Sequence, residues 1–302
     1  EELFFTSPVC AAYNPNDSCV YVADLDDNTV EVFDRELNYL KVRGRFGQGP
    51  GEYNQLGEVT FDSNGNVYTW DLGPGRMQKF DSSFNFKSML KLGFILENNI
   101  EIDTKGNIFT LNGEYITNKV FIMYDSTGNK IREFGEGIFE LEDIGLHHGL
   151  TYGNAAFFTM DKDDNIYCGF HYKPLLRKYN SSRKLVFEVD FSHLPDAVAY
   201  RKYEKRERSI SSNFIPIYFQ CLSLDDEYLY MVLRSVDLHP TYTNIYVVSK
   251  QDGHIIKIKR IPKEPNGFLS HLDASARDYF FCLARDEAEG VVRVPKSRKS
   301  DE

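Results

Sequence analysis

The sequence is poor in cysteine, and the few cysteines it has are scattered. Cys10, Cys19, Cys168, Cys221 and Cys282 show no C-x-x-C spacing, so the paired thiolates of a zinc site are lacking. All five sit in or beside strand-like runs such as SCVYV and NIYCGF. The role expected of them is that of buried free thiols packing as small apolar residues. No stretch approaches the roughly 18 consecutive apolar residues of a membrane helix. A G-x-S-x-G elbow, an H-E-x-x-H pair and a P-loop are all missing, which removes the common hydrolase, metalloprotease and nucleotide-binding signatures. The one glycine-rich run, Gly47 to Tyr53 (GQGPGEY), is not followed by Lys-Ser/Thr. Basic charge is outnumbered, with 35 Lys and Arg against 45 Asp and Glu and a net charge of −10. Nucleic-acid affinity comes mainly from Lys and Arg on phosphates, so nucleic acid is not an expected partner. The same sign argues against anionic lipid surfaces. An initiator Met is absent and the chain opens at Glu1, as a trimmed mature form would, so a missing targeting segment carries no information.

What the chain has is aromatic residues, 19 Tyr and 23 Phe against one Trp. Together with Val and Ile they suit the half-buried pleated surface of a sheet. They recur in a pattern. Asp62-Ser63-Asn64-Gly65-Asn66 is a tight turn followed by the strand Val67–Trp70, a second turn Asp71–Gly75 and a further strand Arg76–Phe80. Asp103–Asn107 and Asp161–Asn165 copy the first turn. Asn14–Ser18 and Asp225–Glu227 are looser copies, and Asp273–Asp278 is a degenerate sixth. The strand that follows the second turn recurs as VEVFD, MQKFD, FIMYD, LRKYN, IYVVS and VVRVP. The aromatic residue after each first turn falls at Tyr21, Tyr68, Phe109, Tyr167, Tyr230 and Phe280, at intervals of 47, 41, 58, 63 and 50. A four-stranded propeller blade takes about 40–50 residues. Six such units fit a closed six-bladed β-propeller, an all-β fold of four-stranded antiparallel blades.

The expected layout is one domain over 1–302. Its blades lie near 9–47, 57–93, 98–137, 153–192, 214–262 and 268–296 plus 1–8, with insertions at 134–155 and 191–216. The last repeat offers three strands only. Leu3-Phe4-Phe5-Thr6 is a spare strand at the other end, and it is expected to complete the last blade and remove an exposed edge. In the second insertion, PDAVAYRKYEKRERS predicts a short charged helix with Pro195 in its first turn.

Gly47 to Tyr53, the D-x-x-G-N turn after it and Arg76-Met77-Gln78-Lys79-Phe80-Asp81 together resemble an NHL repeat. The whole chain resembles a family of six-bladed propeller proteins common in gut bacteria. That resemblance implies the fold and a location in the bacterial periplasm or outer envelope. It also implies a possible lipid anchor upstream of residue 1. It transfers no catalytic residue.

Propeller function resides in face loops and the central channel. The variable face carries the loops between the second and third strands, and it is the first candidate. Its residues with ligand chemistry are Asp24, Asp71, Arg76, Tyr115, His147, His148, His171, Tyr172, Arg234, His239 and Arg285. Each has a plainer reading. Asp24 and Asp71 suit turn caps, and the arginines suit pairing with nearby carboxylates. His147 and His148 are adjacent, and adjacent side chains on a strand point opposite ways. The run Arg201–Arg208 is interleaved with Glu204 and Glu207 and reads as a solvated helix face. A second candidate is the ring axis, where Glu58, Asn99, Glu101, Gln220, His271 and Asp273 fall at inner-strand positions. Such a set resembles the oxygen-rich surroundings of a hard cation, of which Ca2+ is an example. The leading expectation is a monomeric, non-catalytic envelope module, without a cofactor, that recognises a glycan, peptide or protein partner. The alternative is a metal-assisted hydrolase, lactonase or lyase with a cation near the axis.

Overall fold

The computed structural model describes residues 5–92, 95–113, 118–138, 155–210, 217–234, 241–262, 268–285 and 290–296, with the backbone alone at 95–98, 268–270 and 284–285. The chain forms six antiparallel sheets in sequence order. Blade one is β1 (Pro8–Asn14), β2 (Cys19–Asp24), β3 (Thr29–Phe33) and β4 (Tyr39–Arg43). Blade two is β5 (Leu56–Phe61), β6 (Val67–Asp71), β7 (Arg76–Phe80) and β8 (Phe86–Lys91). Blade three is β9 (Ile95–Ile102), β10 (Ile108–Asn112), β11 (Lys119–Tyr124) and β12 (Lys130–Glu136). Blade four is β13 (Ala156–Met160), β14 (Ile166–Phe170), β15 (Leu175–Tyr179) and β16 (Leu185–Asp190). Blade five is β17 (Phe219–Leu224), β18 (Tyr228–Leu233), β19 (Tyr242–Ser249) and β20 (Ile255–Pro262). Blade six has three strands among the described residues, β21 (Phe268–Asp273), β22 (Tyr279–Arg285) and β23 (Gly290–Pro295). This is the six-bladed propeller that the repeat predicts.

The D-x-x-G-N turns owe their shape to one carboxylate each. Asp62 Oδ1 accepts the Asn64 and Asn66 N–H groups, and Oδ2 accepts the Asn66 side-chain amide and the Tyr68 hydroxyl. Asp103 and Asp161 repeat the arrangement on Asn107 and Asn165. The turns that follow each third strand use the same device, with Asp34 on Asn38, Asp81 on Asn85 and Asp125 on Asn129. An Asp bonding its own backbone two and four residues on mimics a backbone turn.

No single core lies at the centre. The apolar side chains gather instead in seams between consecutive blades. One seam joins Tyr21, Val30 and Val32 of blade one to Tyr53, Leu56 and Val67 of blade two and its connector. The seam between blades four and five is joined by α1 (Pro195–Ile210), whose Ala197 and Tyr200 are buried in it. This is the predicted charged helix. It has Asp196 in the first turn and Arg208 in the last, which suits the helix dipole. All five cysteines are free thiols, and four are buried.

The N-terminal stretch is not seen as a fourth strand of blade six. Leu3 and Phe4 lie outside the described residues, and Phe5 and Thr6 belong to no strand. The Thr6 and Ser7 N–H groups donate to Asp24 of blade one, and Phe5 packs on Phe33 at 5.9 Å. These bonds tie the segment to blade one. Across the junction of blades six and one, Tyr13 N–H donates to Asp273 at 2.7 Å, and Arg35 meets Asp278 at 2.7 Å.

Candidate functional site

The innermost strand of every blade borders a cavity of about 510 Å³ on the ring axis. The cavity opens on the face that carries the D-x-x-G-N turns, with Asn16, Ser63, Thr104, Lys162, Asp226 and Ser275 around its mouth. This face is opposite to the one with the variable loops. A volume in the roughly 300–1,000 Å³ range is that of a small-molecule site.

Glu58, Asn99, Glu101, His271 and Asp273 all line the cavity. Each uses part of its bonding capacity to hold the next blade. Ile100 N–H donates to Glu58 Oε1 at 3.2 Å, and Phe158 N–H donates to Asn99 Oδ1 at 2.6 Å. Glu101 accepts from the Thr159 hydroxyl and the Met160 N–H. Asp273 takes the N–H groups of Tyr13 and Ser275 and the Ser275 hydroxyl. His271 bonds the Ala11 backbone. Two further lining residues, which the sequence reading passed over, do the same work. Ser223 Oγ accepts the Ala274 N–H at 2.9 Å, and the Cys10 thiol donates to the Val59 carbonyl at 3.6 Å. The signal for them lies in strand periodicity. Residues two and four places before the turn aspartate share one side of the inner strand, as Thr60 and Glu58 do before Asp62.

Burial draws the inner acids and the histidine of the lining toward their neutral forms. Burial pushes the Glu58 carboxyl well above its ordinary range, and its Oε2 is buried with no hydrogen-bond partner. A carboxylate oxygen left in that state is costly, which favours the protonated form. Burial also raises Glu101 to about 8, against the pull of Thr159 and Met160. Burial lowers His271, against Asp273 and the Ala11 bond, so its ring is neutral near pH 7. At the mouth the charges are absorbed internally. Lys162 pairs with Asp226, Lys250 donates to the Asp225 carbonyl, and Thr104 donates twice to Asp164. Among the described residues no three His, Cys, Asp or Glu side chains gather so as to hold a metal ion.

None of the described variable-face candidates lines this cavity. Asp24 is fully buried and accepts four backbone N–H groups, from Thr6, Ser7, Asp26 and Asp27. Asp71 is fully buried between the Asn54 N–H and Arg76. Arg76 also donates to the Gln48 and Glu52 carbonyls, so it fastens the GQGPGEY connector. His171 is buried against Phe157 at 4.7 Å, and burial lowers its pKa to about 4. Tyr172 packs against the seam between blades three and four. Arg234 is exposed, with its N–H on the Tyr218 carbonyl. Arg285 ends β22, paired by backbone with Phe268. Tyr115, His147, His148 and His239 lie outside the described residues.

Solved structures share the fold at low identity. A candidate exported protein of Bacteroides fragilis is 17% identical, with a TM-score of 0.65 over 94% of this chain and 81% of its own. Virginiamycin B lyase from Staphylococcus aureus is 14% identical, with a TM-score of 0.55 over 99% of this chain and 89% of its own. A Bacteroides caccae protein of unknown function is 11% identical, with a TM-score of 0.55 over 88% and 85%. No curated protein matches the sequence. A model of the 6-bladed beta-propeller family matches residues 13–267. With most of the repeat pattern inside that match, the chain belongs to the 6-bladed beta-propeller family.

Proposed function

We propose that this propeller is a non-catalytic binding module of the bacterial envelope, and that its ligand enters the axial cavity from the face of the D-x-x-G-N turns. The observation that carries this reading is the cavity itself: about 510 Å³, lined by polar groups from all six blades and open on the face of the D-x-x-G-N turns. Buried polar groups that converge on a concave space are the usual mark of a ligand site. Among the described residues no comparable convergence occurs on the variable face, where Asp24, Asp71 and Arg76 are occupied by backbone and by each other. The envelope location draws support from the exported neighbour.

Thermal unfolding in the presence of soluble glycans and capped peptides tests this reading. A ligand at 100 times its Kd stabilises by about 2.7 kcal/mol, a shift that is readily measured. Ser63 is exposed at the mouth, so Ser63→Trp narrows the entrance without touching the core. A ligand that raises the Tm of the wild type and not of Ser63→Trp supports the reading. Equal shifts in both proteins place the ligand elsewhere and sink it. The second reading, a metal-assisted hydrolase, lactonase or lyase, draws on Glu58, Asn99, Glu101, His271 and Asp273 around the axis. Millimolar Ca2+, Mg2+ or Zn2+ added to chelator-stripped protein separates the two: the binding reading expects no shift, and a rise abolished by Asp273→Asn favours the enzyme.

A further inference from the structure

Resting on the axial binding reading, we propose that the cavity is a sugar site, which takes one or two uncharged saccharide units and uses Glu101, Thr159, Asn99, Ser223 and His271 as its hydrogen-bonding wall. These side chains come from four blades, and all five line the cavity. Most have one function committed to an inter-blade bond and a second still to offer. Asn99 commits its carbonyl oxygen to the Phe158 N–H and keeps two amide donors. Ser223 accepts from the Ala274 N–H and retains its hydroxyl proton. Glu101, held above its ordinary range by burial, presents a hydroxyl as well as a carbonyl oxygen near neutral pH. A neutral His271 has one donor and one acceptor nitrogen, and the Ala11 backbone engages one of them.

The wall therefore mixes donors and acceptors and carries no full charge to match an ion. A carboxylate ligand would face Glu58, Glu101 and Asp273. A cationic ligand would find Asp273 already taken by Tyr13 and Ser275, beside two acids that burial holds toward their protonated forms. A hydroxyl group donates and accepts at once, so a polyol satisfies such a wall without a desolvated charge. A peptide brings donors and acceptors in fixed alternation and apolar side chains. The wall here presents side chains in no fixed alternation, from inner strands that belong to different sheets.

Isothermal titration with cellobiose, maltose and N,N′-diacetylchitobiose, alongside digalacturonic acid and the capped peptide N-acetyl-Ala-Ala-methylamide, tests the assignment. At least one neutral disaccharide is expected to bind the wild type and to fail with Ser63→Trp. Glu101→Ala removes a bond worth up to about 1.5 kcal/mol and should weaken binding about tenfold. Glu101→Gln restores a neutral donor and acceptor and should weaken it less than about threefold. Thr159→Val keeps the shape of the wall, guards against misfolding in Glu101→Ala, and should weaken binding by about threefold or more. Binding of the uronate as tight as that of the neutral sugars overturns the proposal. Binding of the peptide alone, blocked by Ser63→Trp, overturns the sugar assignment and leaves the axial reading standing. A sugar that binds Ser63→Trp as well as wild type overturns both, and no binding by any sugar overturns the sugar assignment.

Discussion

At the scale of single residues, the polar side chains with a fixed duty divide into those that hold backbone and those that also face the cavity. Arg76 and Asp71 belong to the first kind. Their pair is buried at 2.9 Å, and it anchors the connector between blades one and two. Glu101 belongs to the second, and it gives stability a pH dependence of known sign. Its folded pKa of about 8 lies above its ordinary value of 4.5. The folded state therefore holds a proton that the unfolded state has released. Its contribution is complete below about pH 4.5 and is lost as pH rises toward 8. Glu58 acts in the same direction. His171 and His271 act oppositely, because their lowered values cost stability as pH falls below 6.5. Between pH 6.5 and 8 the acids dominate, and each proton contributes at most about 1.4 kcal/mol per pH unit. Urea unfolding of the wild type should show stability falling over that window, and Glu101→Gln should flatten the slope. An unchanged slope in Glu101→Gln would mean that cavity water keeps Glu101 ionised. The axial residues were legible in the sequence because strand periodicity counts back from each turn aspartate. What was not legible was their other duty. Nothing in the sequence says that the Glu58 carboxyl meets the Ile100 N–H across a blade boundary.

At the scale of elements, the tight turn is the unit that repeats most faithfully, and its chemistry explains which copies were easy to read. In blades two and three the fourth residue is Gly65 or Gly106, at φ +75 and +81. In blade four the place is taken by Asp164 at φ +61, a residue that tolerates the left-handed region better than most. Its carboxylate accepts the Thr104 N–H and hydroxyl from the neighbouring blade, so the departure from glycine gains an inter-blade link. Gly65 and Gly75 give a matched pair for a test. Both have positive φ, and a Cβ at Gly75 meets nothing within 4 Å. A Cβ at Gly65 would lie 2.9 Å from the Asn16 Cβ of blade one. Gly75→Ala should cost about 1–2 kcal/mol from backbone strain alone. Gly65→Ala should cost more, because Asn16 must also move. Equal losses by chemical denaturation would show that the turn yields without disturbing its neighbour. The helix Pro195–Ile210 was legible for the opposite reason, a local composition foreign to every strand around it. For the segment before Pro8, strand-like letters cannot reveal that Asp24 captures the Thr6 and Ser7 N–H groups.

At the scale of the whole ring, stability is shared among six seams, and they are unequal. The seam between blades four and five gathers large aromatics, among them Tyr167, Phe191, Tyr218, Phe219 and Tyr246, and it also holds the helix. The seam between blades six and one mixes the small Ala11, Val20, Val22 and Ala276 with Phe33, Leu283 and the stacked pair Tyr13 and Phe281, at 5.4 Å. It is reinforced from outside by the Arg35–Asp278 pair and by Arg293, which donates to the Arg35 carbonyl at 3.1 Å. Surface pairs of this kind contribute little, and small apolar side chains remove less area from water than aromatics do. Among the described strands, covalent continuity joins every other pair of adjacent blades but not this one. Opening should therefore begin here. Hydrogen exchange followed by mass spectrometry is expected to show β21, β22 and β1 losing protection before β14, β18 and β19. Asp273→Ala removes the acceptor of the Tyr13 N–H and should speed exchange at this seam more than at any other. The cavity depends on an intact ring, so the same variant should weaken any axial ligand even though its fold persists at low temperature. If β21 to β23 instead exchange together with β14, the ring opens as one cooperative unit, and the closing seam is as strong as the rest.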